Sequence, residues 1–122
     1  MDFPYPINPD IFIVMSKEAY EKNVDDIRVG ATIFYDTELV ELDERAKRAK
    51  QIYGIQSTKI AEELGVKIAA NIVMLGFVSS RIEDIITKDK LKACVLDSVP
   101  KRFIKKNDEA FERGFREGEK VH

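Results

Sequence analysis

Cysteine and histidine, two residue types that often carry chemistry, are almost missing from this chain of 122 residues. Cysteine occurs once, at Cys94, so the chain can form no intrachain disulfide and has no cysteine set for zinc or an iron–sulfur cluster. Histidine occurs once, at the terminal His122, which excludes a catalytic triad in the body of the chain. The sequence therefore predicts no catalytic residue and no metal ligand here, and cysteine usage indicates a reducing cytoplasm.

Glycine-rich loops, long apolar runs and an excess of one charge are also lacking. Each of Gly30, Gly54, Gly65 and Gly76 is isolated, so no glycine-rich loop can cradle phosphates. The N-terminus MDFPYPINPD is acidic and carries three prolines, which predicts no signal peptide, and the first apolar stretch is far shorter than the roughly 20 residues of a membrane span. With 22 acids, 20 bases and a net charge of -2, we expect neither nucleic acid nor membrane as a partner.

The chain does contain enough apolar residues for one hydrophobic core. Its hydrophobic fraction of 44% and charged fraction of 34% are typical of globular proteins, and its length predicts a single domain over residues 1–122. Short apolar runs predict strands at Ile11–Met15, Ala31–Tyr35 and Gln51–Ile55. Ser16 can cap a short helix between the first two strands. This strand–helix–strand order predicts a parallel sheet.

The C-terminal half has a helical pattern. Ser57 or Thr58 can cap a helix that Gly65 ends in a left-handed conformation, and an apolar helix follows at Lys67–Val78. Thr87 can cap a further helix, and a last one occupies the tail. The side chains expected on their buried faces are Leu91, Cys94, Val95 and Val99, then Phe103, Ile104, Ala110, Phe111 and Phe115. The prediction is an α/β fold with three layers, α/β/α, a short mostly parallel sheet and helices concentrated in the C-terminal half.

Two residues stand out inside the apolar helix. Asn71 is expected beside apolar side chains, namely Ile68, Met74, Leu75 and Val78. An unpaired buried amide costs about 1–3 kcal/mol, so it needs a partner, either within the domain or on a neighbouring subunit or ligand. Gly76 costs up to about 1 kcal/mol relative to alanine, so another helix of the domain or a neighbouring chain should approach its backbone closely.

Five segments follow one another in an order and spacing typical of one family. They are PDIFIVMSKEAYEK (9–22), STKIAEELG (57–65), VKIAANIVMLG (66–76), VPKRF (99–103) and NDEAFERGF (107–115). Together they resemble the gamma subunit, or equivalent fused domain, of 2-oxoacid:ferredoxin oxidoreductases, in which T-x-I-A-x-x-L-G and N-x-x-A-F/L-x-x-G blocks occur. The structural or interface candidates on this resemblance are Asn71, Gly76, Asn107 and Gly114.

The resemblance implies a non-catalytic, gamma-type subunit of a thiamine-dependent enzyme. Such enzymes convert a 2-oxoacid (pyruvate, ketoisovalerate, 2-oxoglutarate or an aryl 2-oxoacid) and coenzyme A to acyl-CoA, CO2 and reduced ferredoxin. Thiamine diphosphate, iron–sulfur clusters and coenzyme A are implied for the complex, with none expected in this chain. The implied partners are the other subunits, with ferredoxin reached through the complex. The alternative is a non-enzymatic protein-interaction domain that kept the fold.

The resemblance has one large gap. Family gamma subunits are longer and open with a glycine-rich turn that has no counterpart here. We therefore expect a fragment, a separately encoded C-terminal half or a degenerate relative. Strands from such a segment would join the same sheet, so the Ile11–Met15 strand should have an open edge, and the isolated chain should self-associate.

Overall fold

The computed structural model describes residues 11–27 and 29–121, which divide into two compact units between Ile55 and Gln56. The first unit contains strands β1 (Ile11–Val14), β2 (Thr32–Asp36) and β3 (Gln51–Ile55) and helix α1 (Lys17–Asn23). The second contains helices α2 (Ser57–Glu63), α3 (Ala70–Ser79), α4 (Lys88–Asp97) and α5 (Ile104–Glu119). Short 3-10 turns occupy Val24–Asp26, Glu44–Arg48, Lys67–Ala69 and Lys101–Phe103.

The sheet has the order β1-β2-β3, and both strand pairs are parallel. Ile33 of the central strand lies opposite Phe12 on one side and Ile52 on the other. Ile33 and its neighbour Phe34 point to opposite faces and are both buried, as expected for a parallel strand covered on both sides. The predicted α/β class, parallel sheet and concentration of helices in the C-terminal half are confirmed.

The core of the first unit lies on one side of this sheet, under α1. Ser16 caps α1 as predicted, because its Oγ accepts a hydrogen bond from the Ala19 N–H at 3.1 Å. The cap orients the helix so that Tyr20 is buried. The cluster that it joins comprises Val14, Tyr20, Val24, Ile27, Ala31, Ile33, Val40 and Ala46.

The start of α2 differs from the prediction, whereas its end agrees with it. Ser57 and Thr58 lie inside the helix, and Gln56 occupies the N-cap position without a side-chain hydrogen bond. Neither predicted cap is therefore correct. Gly65 has φ 75°, and the Val66 N–H donates to the Ala61 carbonyl at 2.9 Å, so the predicted left-handed end is confirmed.

Helix α3 is buried on all sides, with eight consecutive buried residues at Ile72–Ser79. It begins later than predicted, because Lys67–Ala69 form a 3-10 turn. A 3-10 turn has three residues per turn, so the helical period does not extend back to Ile68. Ile68 is 91% exposed, and the expectation that it shares a buried face with Asn71 is wrong. No helix in the described part of the chain is both long and apolar enough to cross a membrane.

Helices α4 and α5 confirm part of the predicted apolar faces. Thr87 caps α4 by accepting a hydrogen bond from the Lys90 N–H at 3.3 Å. Cys94 is exposed, not in the core as predicted, because α4 buries only a narrow stripe of residues four apart, Leu91 and Val95. In α5, Ala110, Phe111 and Phe115 are buried, whereas Phe103 and Ile104 at its start are exposed, contrary to prediction.

Candidate functional site

The two predicted glycines meet at the contact between α3 and α5. A Cβ atom added at Gly76 would lie 2.8 Å from the carbonyl carbon of Phe111 and closer still to its oxygen. At Gly114 an added Cβ would lie 2.8 Å from the carbonyl carbon of Val73. Any side chain at either position would overlap backbone of the other helix. The close approach predicted at Gly76 is therefore made by a helix of the same unit.

Contacts along this pair show that α3 and α5 run in the same direction. Val73, early in α3, lies against Gly114, and Arg81, just past the end of α3, donates a hydrogen bond to the carbonyl of Val121, just past the end of α5. From the first of these contacts to the second, the contacting residue lies further towards the C-terminus in both helices. The starts of the two helices consequently lie at the same end of the pair.

Gly118 is a third glycine of this contact, and sequence reasoning missed it. A Cβ atom at Gly118 would overlap the side chain of Ser80, 2.7 Å from its Cβ. The signal was present, because Gly114 and Gly118 are four residues apart and therefore share one helix face.

The two predicted asparagines lie near the helix starts, away from the glycine contact. Asn107 is buried, and its Nδ2 donates to the Phe103 carbonyl at 2.8 Å, which ties α5 to the turn before it. Asn71 is half-buried in the first turn of α3. The structure thus brings Gly76 and Gly114 together, and an interface role for any of the four candidates stays a prediction.

We expect Asn71→Leu to lower the free energy of unfolding of the isolated chain by about 1–3 kcal/mol, because leucine cannot replace an amide hydrogen bond within the fold. The melting temperature should fall by several degrees, and Asn107→Leu, which removes a bond of known geometry, provides the reference. An unchanged melting temperature together with weakened assembly would place the Asn71 amide against a partner subunit instead.

An open cleft of about 610 Å³ in the first unit was not predicted. It lies at the carboxyl ends of β1 and β2, the position where open parallel sheets usually bind ligands. Its lining residues are Lys17, Glu21, Tyr35, Thr37, Glu38, Leu39, Val40, Glu41 and Leu42. Three carboxylates against one ammonium group disfavour a phosphate or another anionic ligand there.

Beside this cleft, a cluster of polar side chains joins α1 to the segment at Asp43 and Arg45. The Tyr20 hydroxyl donates to Asp43 Oδ1 at 2.6 Å, and the Arg45 guanidinium bridges Asp43 at 2.7 Å and Glu21 at 3.0 Å. Hydrogen bonds from Arg45 and then Tyr20 hold the pKa of Asp43 well below its usual range, while burial and the bond to Asp43 raise the pKa of Tyr20. A lowered pKa makes this carboxylate a weaker base than a free aspartate, and its oxygens already accept hydrogen bonds from Tyr20 and Arg45, so Asp43 has a structural role here.

A second charged cluster joins α4 to α5. Lys92 Nζ lies 2.5 Å from Asp108 and 2.7 Å from Glu112, and Lys88 Nζ lies 2.9 Å from the other oxygen of Glu112. Burial alone would raise the pKa of Glu112, but the hydrogen bonds from Lys92 and Lys88 outweigh it, and the pKa is lowered. The two ion pairs of Glu112 therefore stabilise the folded unit only while Glu112 is ionised.

We expect the contribution of Glu112 to be complete above its ordinary pKa of 4.5 and to disappear as the pH falls below it, because the folded state holds the lower pKa. The melting-temperature difference between wild type and Glu112→Gln should be clear at neutral pH and should shrink in acid. Glu109→Gln, on an exposed position of the same helix, is the matched control. An equal difference at both pH values would contradict this assignment.

The described residues do not fit the metal groups implied for the complex. An iron–sulfur cluster usually takes four thiolates, and this chain has only Cys94, which is exposed on α4. Among residues 11–27 and 29–121, no group of three or more histidine, cysteine, aspartate or glutamate side chains could hold a metal ion.

Comparison with known sequences gives a family and several relatives. The model of the family described as pyruvate ferredoxin/flavodoxin oxidoreductase matches residues 3–117. The 2-oxoglutarate synthase subunit KorC of Methanocaldococcus jannaschii is 41% identical over 116 residues, covering 94% of this chain and 62% of that protein. The subunit of the same name from Methanothermobacter thermautotrophicus is 32% identical over 120 residues, covering 93% and 62%. The chain thus spans about three fifths of the length of these curated relatives.

Solved structures share the fold. The gamma subunit of a keto/oxoacid ferredoxin oxidoreductase from Geobacter sulfurreducens matches with a TM-score of 0.80 at 26% identity, covering 92% of this chain and 65% of that one. A 2-oxoglutarate:ferredoxin oxidoreductase from Magnetococcus marinus, with 2-oxoglutarate, coenzyme A and succinyl-CoA bound, matches with a TM-score of 0.73 at 27% identity. That match covers 93% of this chain and 20% of the larger one.

Proposed function

Because the chain belongs to the pyruvate ferredoxin/flavodoxin oxidoreductase family, we propose that it acts as a gamma-type subunit, or part of one, of a 2-oxoglutarate:ferredoxin oxidoreductase. The resemblance to gamma subunits expected from the sequence motifs is confirmed. The observation that carries the proposal is the similarity of nearly the whole chain to subunits named for 2-oxoglutarate synthase. The names of these relatives favour 2-oxoglutarate over pyruvate or ketoisovalerate.

In this proposal the assembly converts 2-oxoglutarate and coenzyme A to succinyl-CoA, CO2 and reduced ferredoxin. Thiamine diphosphate and iron–sulfur clusters are supplied by companion chains, because this chain has a single cysteine and no glycine-rich loop. The cleft in the first unit is acidic, which argues against a pyrophosphate-bearing ligand there. The chain contributes a folded surface to the assembly, and the proposed location is the cytoplasm, in keeping with its cysteine usage.

The test is reconstitution with the companion chains of the native host. The chain alone should show no 2-oxoglutarate-dependent reduction of a viologen dye. The assembly should show it, with coenzyme A required and with pyruvate as the control substrate. Pyruvate turnover in place of 2-oxoglutarate turnover would correct the substrate. Failure to purify with any thiamine- or iron-bearing chain would instead support a non-enzymatic interaction domain.

Self-association of the isolated chain is a separate expectation. Within the described residues β1 and β3 each pair with one neighbour only, and Ile52 of β3 is 42% exposed. Unpaired strand edges bind other strands readily. Light scattering at micromolar concentration should therefore show a dimer or larger species, whereas a monomer at high concentration would contradict the expectation.

A further inference from the structure

The entry to α5 exposes an unusual run of residues. All six side chains of Lys101–Lys106, KRFIKK, are exposed, and four of them are cationic. Phe103 is 43% exposed and Ile104 is 36% exposed, although large apolar side chains are normally covered. Exposed apolar groups grouped with charges of one sign are typical of interaction surfaces.

The positive charge of this run is not neutralised within the described part of the chain. There, Lys101, Arg102, Lys105 and Lys106 form no ion pair within 4.0 Å. Of the acids in the next turns of α5, Asp108 and Glu112 bind Lys92, and Glu109 forms no ion pair within 4.0 Å with these cations. Four cations therefore face solvent together, in a protein whose net charge is -2.

We propose that the exposed run Lys101–Lys106, at the entry to α5, docks an acidic surface of a companion subunit. The proposal rests on the proposed function, which supplies the companion. Protein interfaces place apolar groups at their centre and charges at their rim, and complementary charge steers the partners together. Four cations around the two apolar side chains, Phe103 and Ile104, match an acidic protein surface with an apolar centre.

Other occupants fit less well. The Arg102 guanidinium lies 4.8 Å from the centroid of the Phe103 ring and covers one of its faces, so the ring does not project as a membrane-inserting wedge. The cations are exposed and do not converge on a buried polar group, so they do not form a pocket for a small anion. A second copy of this chain, with a net charge of only -2, offers a weak acidic match, and the experiment distinguishes it from a companion subunit.

The experiment reverses charge in the reconstituted assembly. In Lys105→Glu/Lys106→Glu the new carboxylates lie in the first turn of α5, where the helix dipole favours them, so folding should be preserved. The control Lys59→Glu/Lys90→Glu makes the same charge change on exposed positions of α2 and α4. We expect the dissociation constant for the companion chains to rise about tenfold or more in the first variant, and by less than about twofold in the control.

A second measurement concerns the apolar centre. A photo-reactive phenylalanine analogue at position 103 should cross-link, within the purified assembly, to a companion segment rich in aspartate and glutamate. Unchanged affinity of Lys105→Glu/Lys106→Glu overturns the docking surface and leaves the proposed function intact. Absence of any assembly with the wild-type chain overturns both. If the wild-type chain binds phosphatidylserine vesicles, the surface binds a membrane and not a companion subunit. If the chain forms a dimer that the charge reversal dissociates, the surface binds a second copy of the chain instead.

Discussion

Gly76→Ala is expected to lower the free energy of unfolding by about 3 kcal/mol, although alanine favours the helix over glycine by up to about 1 kcal/mol. The added methyl group would overlap the Phe111 carbonyl, which belongs to backbone and cannot rotate away. The helices must therefore separate, and the buried residues between them lose packing. Gly114→Ala should behave alike, because its methyl group would overlap the Val73 carbonyl.

Urea unfolding followed by circular dichroism measures this effect. Glu109→Ala, on an exposed position of α5, should change stability by less than about 0.5 kcal/mol. The double variant Gly76→Ala/Gly114→Ala should cost less than the sum of the two single variants, since either one already forces the helices apart. Single variants as stable as wild type would show that α3 and α5 do not meet through their backbones.

Tyr20→Ala is expected to lower the free energy of unfolding by about 3–5 kcal/mol, the usual cost of removing a buried aromatic ring. Tyr20 is 2% exposed and packs into the core of the first unit, while its hydroxyl bonds Asp43. Tyr20→Phe keeps the ring and loses only that bond. It should cost much less, because the Asp43 carboxylate is exposed and regains water.

Thermal unfolding of the two variants separates packing from hydrogen bonding at this position. Tyr35→Phe removes the hydroxyl group of a half-buried tyrosine in β2 and is the matched control for loss of a hydroxyl group. The pKa of Tyr20 is raised in the folded protein, so its contribution is complete below its ordinary pKa of 10.0 and is lost at higher pH. Equal destabilisation by Tyr20→Ala and Tyr20→Phe would contradict the assignment of the ring to the core.

Local signals were sufficient where one residue decides the backbone. Ser16 and Thr87 as caps, Gly65 in the left-handed region and the close contact at Gly76 were all predictable, because each depends on a property of that residue type. The β3 strand, Gln51–Ile55, was predicted with its observed bounds. These features need no knowledge of the rest of the fold.

Features that depend on distant partners were not predictable in this way. Cys94 has the spacing of a core residue, but only the positions of the packed helices show that α4 buries a stripe too narrow to include it. The bond between Tyr20 and Asp43 joins residues 23 positions apart, and the cleft brings together residues from Lys17 to Leu42. Ser57 is a good capping residue by type, yet it is buried as the first residue of α2.

The backbone contact between α3 and α5 also determines how force passes through the second unit. Side chains between packed helices can change rotamer and absorb a small displacement, but carbonyl groups facing glycines cannot. The two helices therefore move as one rigid body, because the contacts at Gly76 and Gly114 leave no room for either helix to shift alone. A displacement imposed on the first turn of α5 by a bound partner would reach the buried helix α3 almost undiminished.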